Sequence, residues 1–132
     1  LIWCFQQLNS GHLFELDSFD FVVDAIDSIY DKLTLISYCN EHDIPMISSM
    51  GAGNRFDPTK VIVTDVFKTN YDPFAKVIRS QLRRLGVKKL AVVASSEIPQ
   101  KTGHRTPASS PFVPPAFGLA IARYVFNYFI NV

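Results

Sequence analysis

Asp20-Phe21-Val22-Val23-Asp24-Ala25-Ile26-Asp27-Ser28 decides how this chain folds. Phe21 to Ile26 is a short, mostly apolar and largely β-branched run, the pattern of a buried strand. A helical pattern follows at once and opens on a capping residue, Asp27 or Ser28. Ile29, Leu33 and Ile36 recur at helical spacing, and Leu35 and Cys39 broaden the stripe, which predicts an amphipathic helix over Ser28 to His42. Pro45 to Ser49 is the next strand. A strand, a helix and a strand joined by short connections make a right-handed βαβ unit with parallel strands, so the fold class is α/β. Ligands in open α/β folds gather beyond the carboxyl ends of the strands, which makes Asp24 and Asp27 site candidates. The plainer reading makes them a turn residue and a helix cap.

Upstream, Leu1 to Leu8 reads as a strand, Asn9 to His12 as a turn, and Leu13 to Phe19 as a helical turn carrying Leu13, Phe14 and Leu16 inward. Downstream, Ser48 and Ser49 lead into Met50-Gly51-Ala52-Gly53-Asn54. Small hydroxyl residues followed by Gly-Ala-Gly let ligand atoms approach the backbone, although a tight turn explains them equally. The chain contains neither Gly-x-Gly-x-x-Gly nor Gly-x-x-x-x-Gly-Lys-Ser/Thr.

Asp57 to Lys60 is a turn and Val61 to Val66 alternates as a strand. Asp72-Pro73 opens a helix ended by Gly86, with Phe74, Val77, Ile78, Leu82 and Leu85 as its buried stripe and Lys76, Arg79 and Arg83 on another face. Leu90 to Ala94 is a further strand, and Ser95 to Ser110 a long mobile loop carrying Lys101, His104 and Arg105. Pro115 starts a helix over Ala116 to Tyr128 in which Ala116, Gly118, Ala120 and Ala122 permit close packing. Its role is that of a core or dimer-interface helix, with peripheral membrane contact by Tyr124, Phe126, Tyr128 and Phe129 as the alternative.

A length of 132 residues, 48% hydrophobic and 19% charged, fits one globular domain or part of one. Net charge is +1, but Lys76 to Arg105 holds eight of the thirteen basic residues and a single acid, Glu97, which permits an anionic partner on one face. Solvated surface is the plainer reading of those cations. Cys4 and Cys39 lack metal-ligand spacing, which argues against a zinc site and for reduced core cysteines of a cytoplasmic protein. No apolar run is long enough for a spanning helix.

Three stretches together resemble the ThiF/MoeB/HesA superfamily of ubiquitin-activating-enzyme-like adenylyltransferases: Asp24 to Ser28 with Lys32, Ile44 to Asn54, and Phe56 to Lys60. The nearest branch is the tRNA threonylcarbamoyladenosine dehydratases, to which Lys68-Thr69, Asp72 to Val87 and Ser109 to Pro114 are also similar. The resemblance implies a Rossmann-like three-layer αβα fold with a mainly parallel sheet. It makes residues 1–132 the C-terminal portion of a single ThiF-type domain, without the N-terminal glycine-rich phosphate loop, and predicts an inactive chain in isolation. The implied activity is an ATP-dependent dehydration of threonylcarbamoyladenosine in tRNA: AMP is transferred to the threonyl carboxylate, and the carbamoyl group then closes a ring with loss of AMP.

Residue by residue, Asp27 resembles the superfamily's catalytic aspartate that holds Mg2+ and the ATP phosphates. Asp24, Ser28, Lys32, Ser48, Ser49, Gly51, Ala52 and Gly53 become cofactor-binding candidates, with Ser28 and Lys32 standing where the superfamily pattern has Asn and Arg. Lys76, Arg79, Arg83, Lys101 and Arg105 become candidate tRNA contacts. A homodimer and a sulfur-transfer protein partner follow from the same resemblance. Two other functions stay open, an adenylyltransferase acting on the C-terminal glycine of a ubiquitin-like or sulfur-carrier protein, and a non-catalytic RNA-binding or assembly module.

Overall fold

The computed structural model describes residues 2–5 and 10–131. The end of the first expected strand at Gln6 to Leu8, the start of the turn at Asn9, and the side chains of Cys4, His12 and Phe14 lie outside what is described. Five strands form one sheet: β1 (Ile2–Phe5), β2 (Phe21–Asp24), β3 (Met46–Ser49), β4 (Val61–Asp65) and β5 (Ala91–Ser95), in the order β1-β2-β3-β5-β4. The first four in that order run parallel, and β4 closes the edge antiparallel to β5.

The parallel pairing follows from the helices between strands. Helix α1 (Ile29–Glu41) links β2 to β3, and α2 (Pro73–Arg84) precedes β5. Ser28 caps α1 by accepting from Asp31 N, and Asp72 caps α2 by accepting from Ala75 N, with Pro73 in the first turn. Gly86, at φ 75°, follows α2 in the left-handed region that glycine occupies freely. Helix α3 (Val113–Ile130) runs across the opposite face.

Alternation along the strands fills three layers. Val22 and Val92 face α1, α2 and the 3-10 segment Ser10–Ser18, where Leu16, Leu35, Ile36, Ile78 and Leu82 are buried. Phe21, Val23, Ile47 and Val93 face α3 and meet Val113, Phe117 and Val125. This is the three-layer, Rossmann-like arrangement with a mainly parallel sheet.

Several side chains sit elsewhere than their spacing suggested. The buried face of α1 is Lys32, Leu35, Ile36 and Cys39, with Ile29 at the exposed end. On α2 the buried line is Ala75, Ile78 and Leu82, while Val77 and Leu85 are 42% and 53% exposed, because the helix rests on the sheet along a narrower stripe than its apolar content allows. Helix α3 begins at Val113, with Pro114 and Pro115 in its first turn rather than before it. Its small residues do not all mark a tight crossing: Ala120 packs inward, but Gly118 and Ala122 are exposed and a Cβ on Gly118 would meet nothing within 4 Å. Leu119 and Phe126 are 73% and 62% exposed, so one side of α3 is an uncovered apolar face. No helix among the described residues is long and apolar enough to cross a membrane.

Candidate functional site

Strands β2 and β3 end side by side, with Asp24 in register with Ser48. Both side chains point toward α1, where Lys32 lies on the buried face of the first turns. Lys32 Nζ donates to Asp24 Oδ2 at 2.7 Å, to Ser48 Oγ at 3.2 Å and to Ser49 O at 2.9 Å, which uses all three of its protons. Ser48 Oγ donates to Asp24 Oδ2 at 2.5 Å, and Ile26 N donates to Asp24 Oδ1 at 2.9 Å. Asp24, Lys32 and Ser48 are fully buried. Burial pushes the Lys32 amine below its ordinary value, while the carboxylates of Asp24 and Asp27 pull the other way.

The closed network changes what these residues can do. Their polar atoms are satisfied by one another, and all three side chains lie buried behind the ends of β2 and β3. They lock the end of β2 and the end of β3 to α1, and thereby aim the two loops that follow. Asp27 and Ser28, at the exposed N-terminus of α1, and Ser49, half-buried at the end of β3, are the polar side chains that remain on the open side.

The loop after β3 is held by a residue that the sequence reading passed over. Arg55 is only 2% exposed; its Nη1 donates to Gly51 O at 2.9 Å and Gly53 O at 3.0 Å, and its Nη2 to Tyr71 O at 2.8 Å. Its Nε is buried without a partner. Gly51 N donates to Asp72 Oδ2 at 3.1 Å, so Gly51 is fixed through its N–H by Asp72 and through its carbonyl by Arg55. The only sequence signal was a cation directly after a Gly-x-Gly-Asn turn, whose carbonyls are acceptors within its reach.

The segment after β5 has no helix or strand until α3, yet it is tied to the same loop. Asn54 N donates to Ala108 O at 2.8 Å, Ala108 N to Asn54 Oδ1 at 2.7 Å, and Gln100 N to Asn54 O at 2.7 Å. Glu97 accepts from Phe56 N and Asp57 N. A Cβ on Gly53 would lie 2.6 Å from Pro107 Cβ, which explains why glycine stands there. Lys101 and Arg105 are therefore exposed on a segment anchored beside the Gly51–Gly53 loop.

On α2, Lys76 and Arg83 are exposed, and the Arg83 guanidinium lies 5.3 Å from the Phe67 ring centroid. Arg79 is engaged: it donates to Thr69 O and, over a short contact, to Thr69 Oγ1. Among the described residues no three His, Cys, Asp or Glu side chains come together as a metal site. A lone exposed carboxylate such as Asp27 still suits Mg2+ carried in by a nucleotide, because that ion takes one or two carboxylates and draws its remaining ligands from phosphate and water.

No family model matches the chain. The tRNA threonylcarbamoyladenosine dehydratase of Bacillus subtilis is 40% identical over 124 residues, covering 80% of this chain and 49% of that protein. The protein of the same name from Escherichia coli is 45% identical over 65 residues, 49% of this chain and 24% of its own. The crystal structure of that dehydratase, TcdA, in complex with ATP superposes with a TM-score of 0.80 at 29% identity, covering 92% of this chain and 53% of TcdA. The chain is similar to the C-terminal portion of these ThiF-like dehydratases and spans about half the length of the B. subtilis relative. HcgE of Methanothermobacter marburgensis, at 16% identity and a TM-score of 0.69, shares the fold.

Proposed function

We propose that this chain is the C-terminal part of an ATP-dependent tRNA threonylcarbamoyladenosine dehydratase. The observation that carries the reading is the joint match to dehydratases: 40% identity to the B. subtilis protein and superposition on ATP-bound TcdA over 92% of the chain. ATP is the co-substrate that would make the threonyl carboxylate electrophilic: a carboxylate oxygen takes AMP with release of pyrophosphate, and it departs with AMP when the carbamoyl group closes the ring. The protein's own share is positioning and charge neutralisation.

Asp27 is the exposed carboxylate that would hold the nucleotide's Mg2+ at the N-terminus of α1. Asp24, Lys32 and Ser48 act through it and through Ser49 as positioning residues. Gly51, its N–H held by Asp72 and its carbonyl by Arg55, shapes the loop, and the N–H groups of Ala52 and Gly53 are the backbone donors it would present to the substrate carboxylate. Lys76, Arg83, Lys101 and Arg105 are free to meet RNA phosphates, and Arg79 supports them by fixing Thr69.

The test takes the complete gene product, ATP, Mg2+ and tRNA carrying threonylcarbamoyladenosine, and weighs the released nucleosides. Loss of one water that needs ATP and disappears in Asp27→Ala supports the reading. A folded protein that binds ATP but leaves the nucleoside mass unchanged refutes the tRNA substrate and directs attention to the carboxylates of carrier proteins.

A further inference from the structure

We infer that Tyr71 is a stacking platform for an unpaired base of the RNA substrate, displayed on a strained turn beside the glycine loop. Tyr71 adopts φ 58°, in the left-handed region that bulky side chains avoid. The other described residues with positive φ are Asp43, Asn54, Gly86 and Gly103, all types that tolerate it. A turn that needed only this geometry would be served by Gly or Asn. Instead a tyrosine stands there and leaves its side chain out: the residue is 59% exposed, and among the described residues its ring meets no other ring and its phenol makes no hydrogen bond.

The strain is held on the C-terminal side of the residue. Arg55 Nη2 holds the Tyr71 carbonyl, and the next residue, Asp72, is fixed as the cap of α2 and as acceptor for Gly51 N. Strained residues that their surroundings over-determine cluster at functional sites. Here the same guanidinium that holds the Tyr71 carbonyl holds those of Gly51 and Gly53, so the turn that carries the ring is tied to the loop assigned to the substrate carboxylate.

The surroundings choose the ligand class. Lys68 and Lys76, three residues before and five residues after Tyr71 in the sequence, are both exposed. Glu97, the one acid between Lys76 and Arg105, has its carboxylate occupied by Phe56 N and Asp57 N. An exposed aromatic ring among cations is the equipment for single-stranded nucleic acid, where bases splayed out of a loop stack on rings while phosphates meet lysines.

The inference rests on the proposed function for the identity of the RNA, so the experiment separates the two. Tyr71→Asn and Tyr71→Trp are made in the complete gene product, and three quantities are read: thermal midpoint, affinity for an anticodon stem-loop RNA carrying threonylcarbamoyladenosine, and ATP-dependent dehydration. Tyr71→Asn is expected to raise the thermal midpoint by relieving the turn while weakening RNA binding about 5- to 150-fold, the range of one base stacked on an aromatic ring. Tyr71→Trp is expected to keep RNA affinity. A merely structural tyrosine would lose stability and affinity together. RNA binding by Tyr71→Asn equal to that of the parent protein overturns the inference, whether or not dehydration is observed. Ring-dependent RNA binding without dehydration upholds it and refutes the proposed reaction instead.

Discussion

Replacing Lys32 by Met removes the countercharge of Asp24 without opening a large void. Asp24 would keep its bonds from Ser48 Oγ and Ile26 N, but its carboxylate is fully buried and would have no cation. Breaking a buried ion pair by deleting one partner costs about 3–5 kcal/mol, a large part of the roughly 5–15 kcal/mol by which a domain is stable. At 132 residues the unfolding entropy is about 0.28 kcal/mol/K, so the thermal midpoint should fall by about 11–18 °C. The double variant Asp24→Asn with Lys32→Met removes both charges, and an amide oxygen can still accept from Ile26 N. It should recover to within about 1–2 kcal/mol of the parent, a coupling of at least ~2 kcal/mol. Urea unfolding followed by circular dichroism measures Lys32→Met, Asp24→Asn and the double variant. A single variant within about 1 kcal/mol of the parent, or a double variant equal to the sum of the singles, would refute the closed network as the support of this edge.

Other expectations are independent of that network. Burial pushes the Cys39 thiol up to about 12, with the Asp24 and Asp17 carboxylates adding to it, so native protein should resist alkylation near neutral pH. Because this folded value lies above the unfolded one, the contribution is present below about pH 9 and is lost as pH rises toward about 12; urea midpoints across that window should fall less steeply in Cys39→Ala. Gly53→Ala drives a Cβ into Pro107 and should cost about 1–3 kcal/mol, whereas Gly118→Ala, open on an exposed helix face, should gain about 0.5–1 kcal/mol; thermal melts of the pair decide it. Residues 1–132 alone should bind Mg-ATP weakly, since the resemblance places the phosphate-gripping residues outside them, and a micromolar Kd by calorimetry would contradict this.

The layers were legible because period alone reports them: the apolar run at Phe21 to Asp24 and the caps Ser28 and Asp72 fixed the βαβ frame. The antiparallel edge was less so, because Val61 to Asp65 alternates alike whichever way it pairs. Lys32 illustrates the limit of spacing. Its position on the inner face of α1 is readable, but a lysine there looks like surface or ligand until Asp24 and Ser48 arrive from two other elements to satisfy it. Arg55 and Tyr71 were missed for a related reason. Their meaning lies in bonds between residues 16 apart and in a backbone angle, neither of which leaves a periodic trace.

The pair of hydrogen bonds between Asn54 and Ala108 divides the stretch after β5 into parts with different freedom to vary. From Ala108 to Val113 the chain is committed, since Ser110 Oγ accepts from Phe112 N and Val113 N to start α3. Between Gln100 and Pro107 lies an arc whose two ends are pinned to one asparagine, with Gly103 exposed and unobstructed at φ 75°. Lengthening such an arc adds closure entropy that grows only logarithmically with loop size. Insertions at Gly103 should therefore leave the glycine loop undisturbed, which makes this arc the natural port for a reporter group and the place where related chains are free to differ in length.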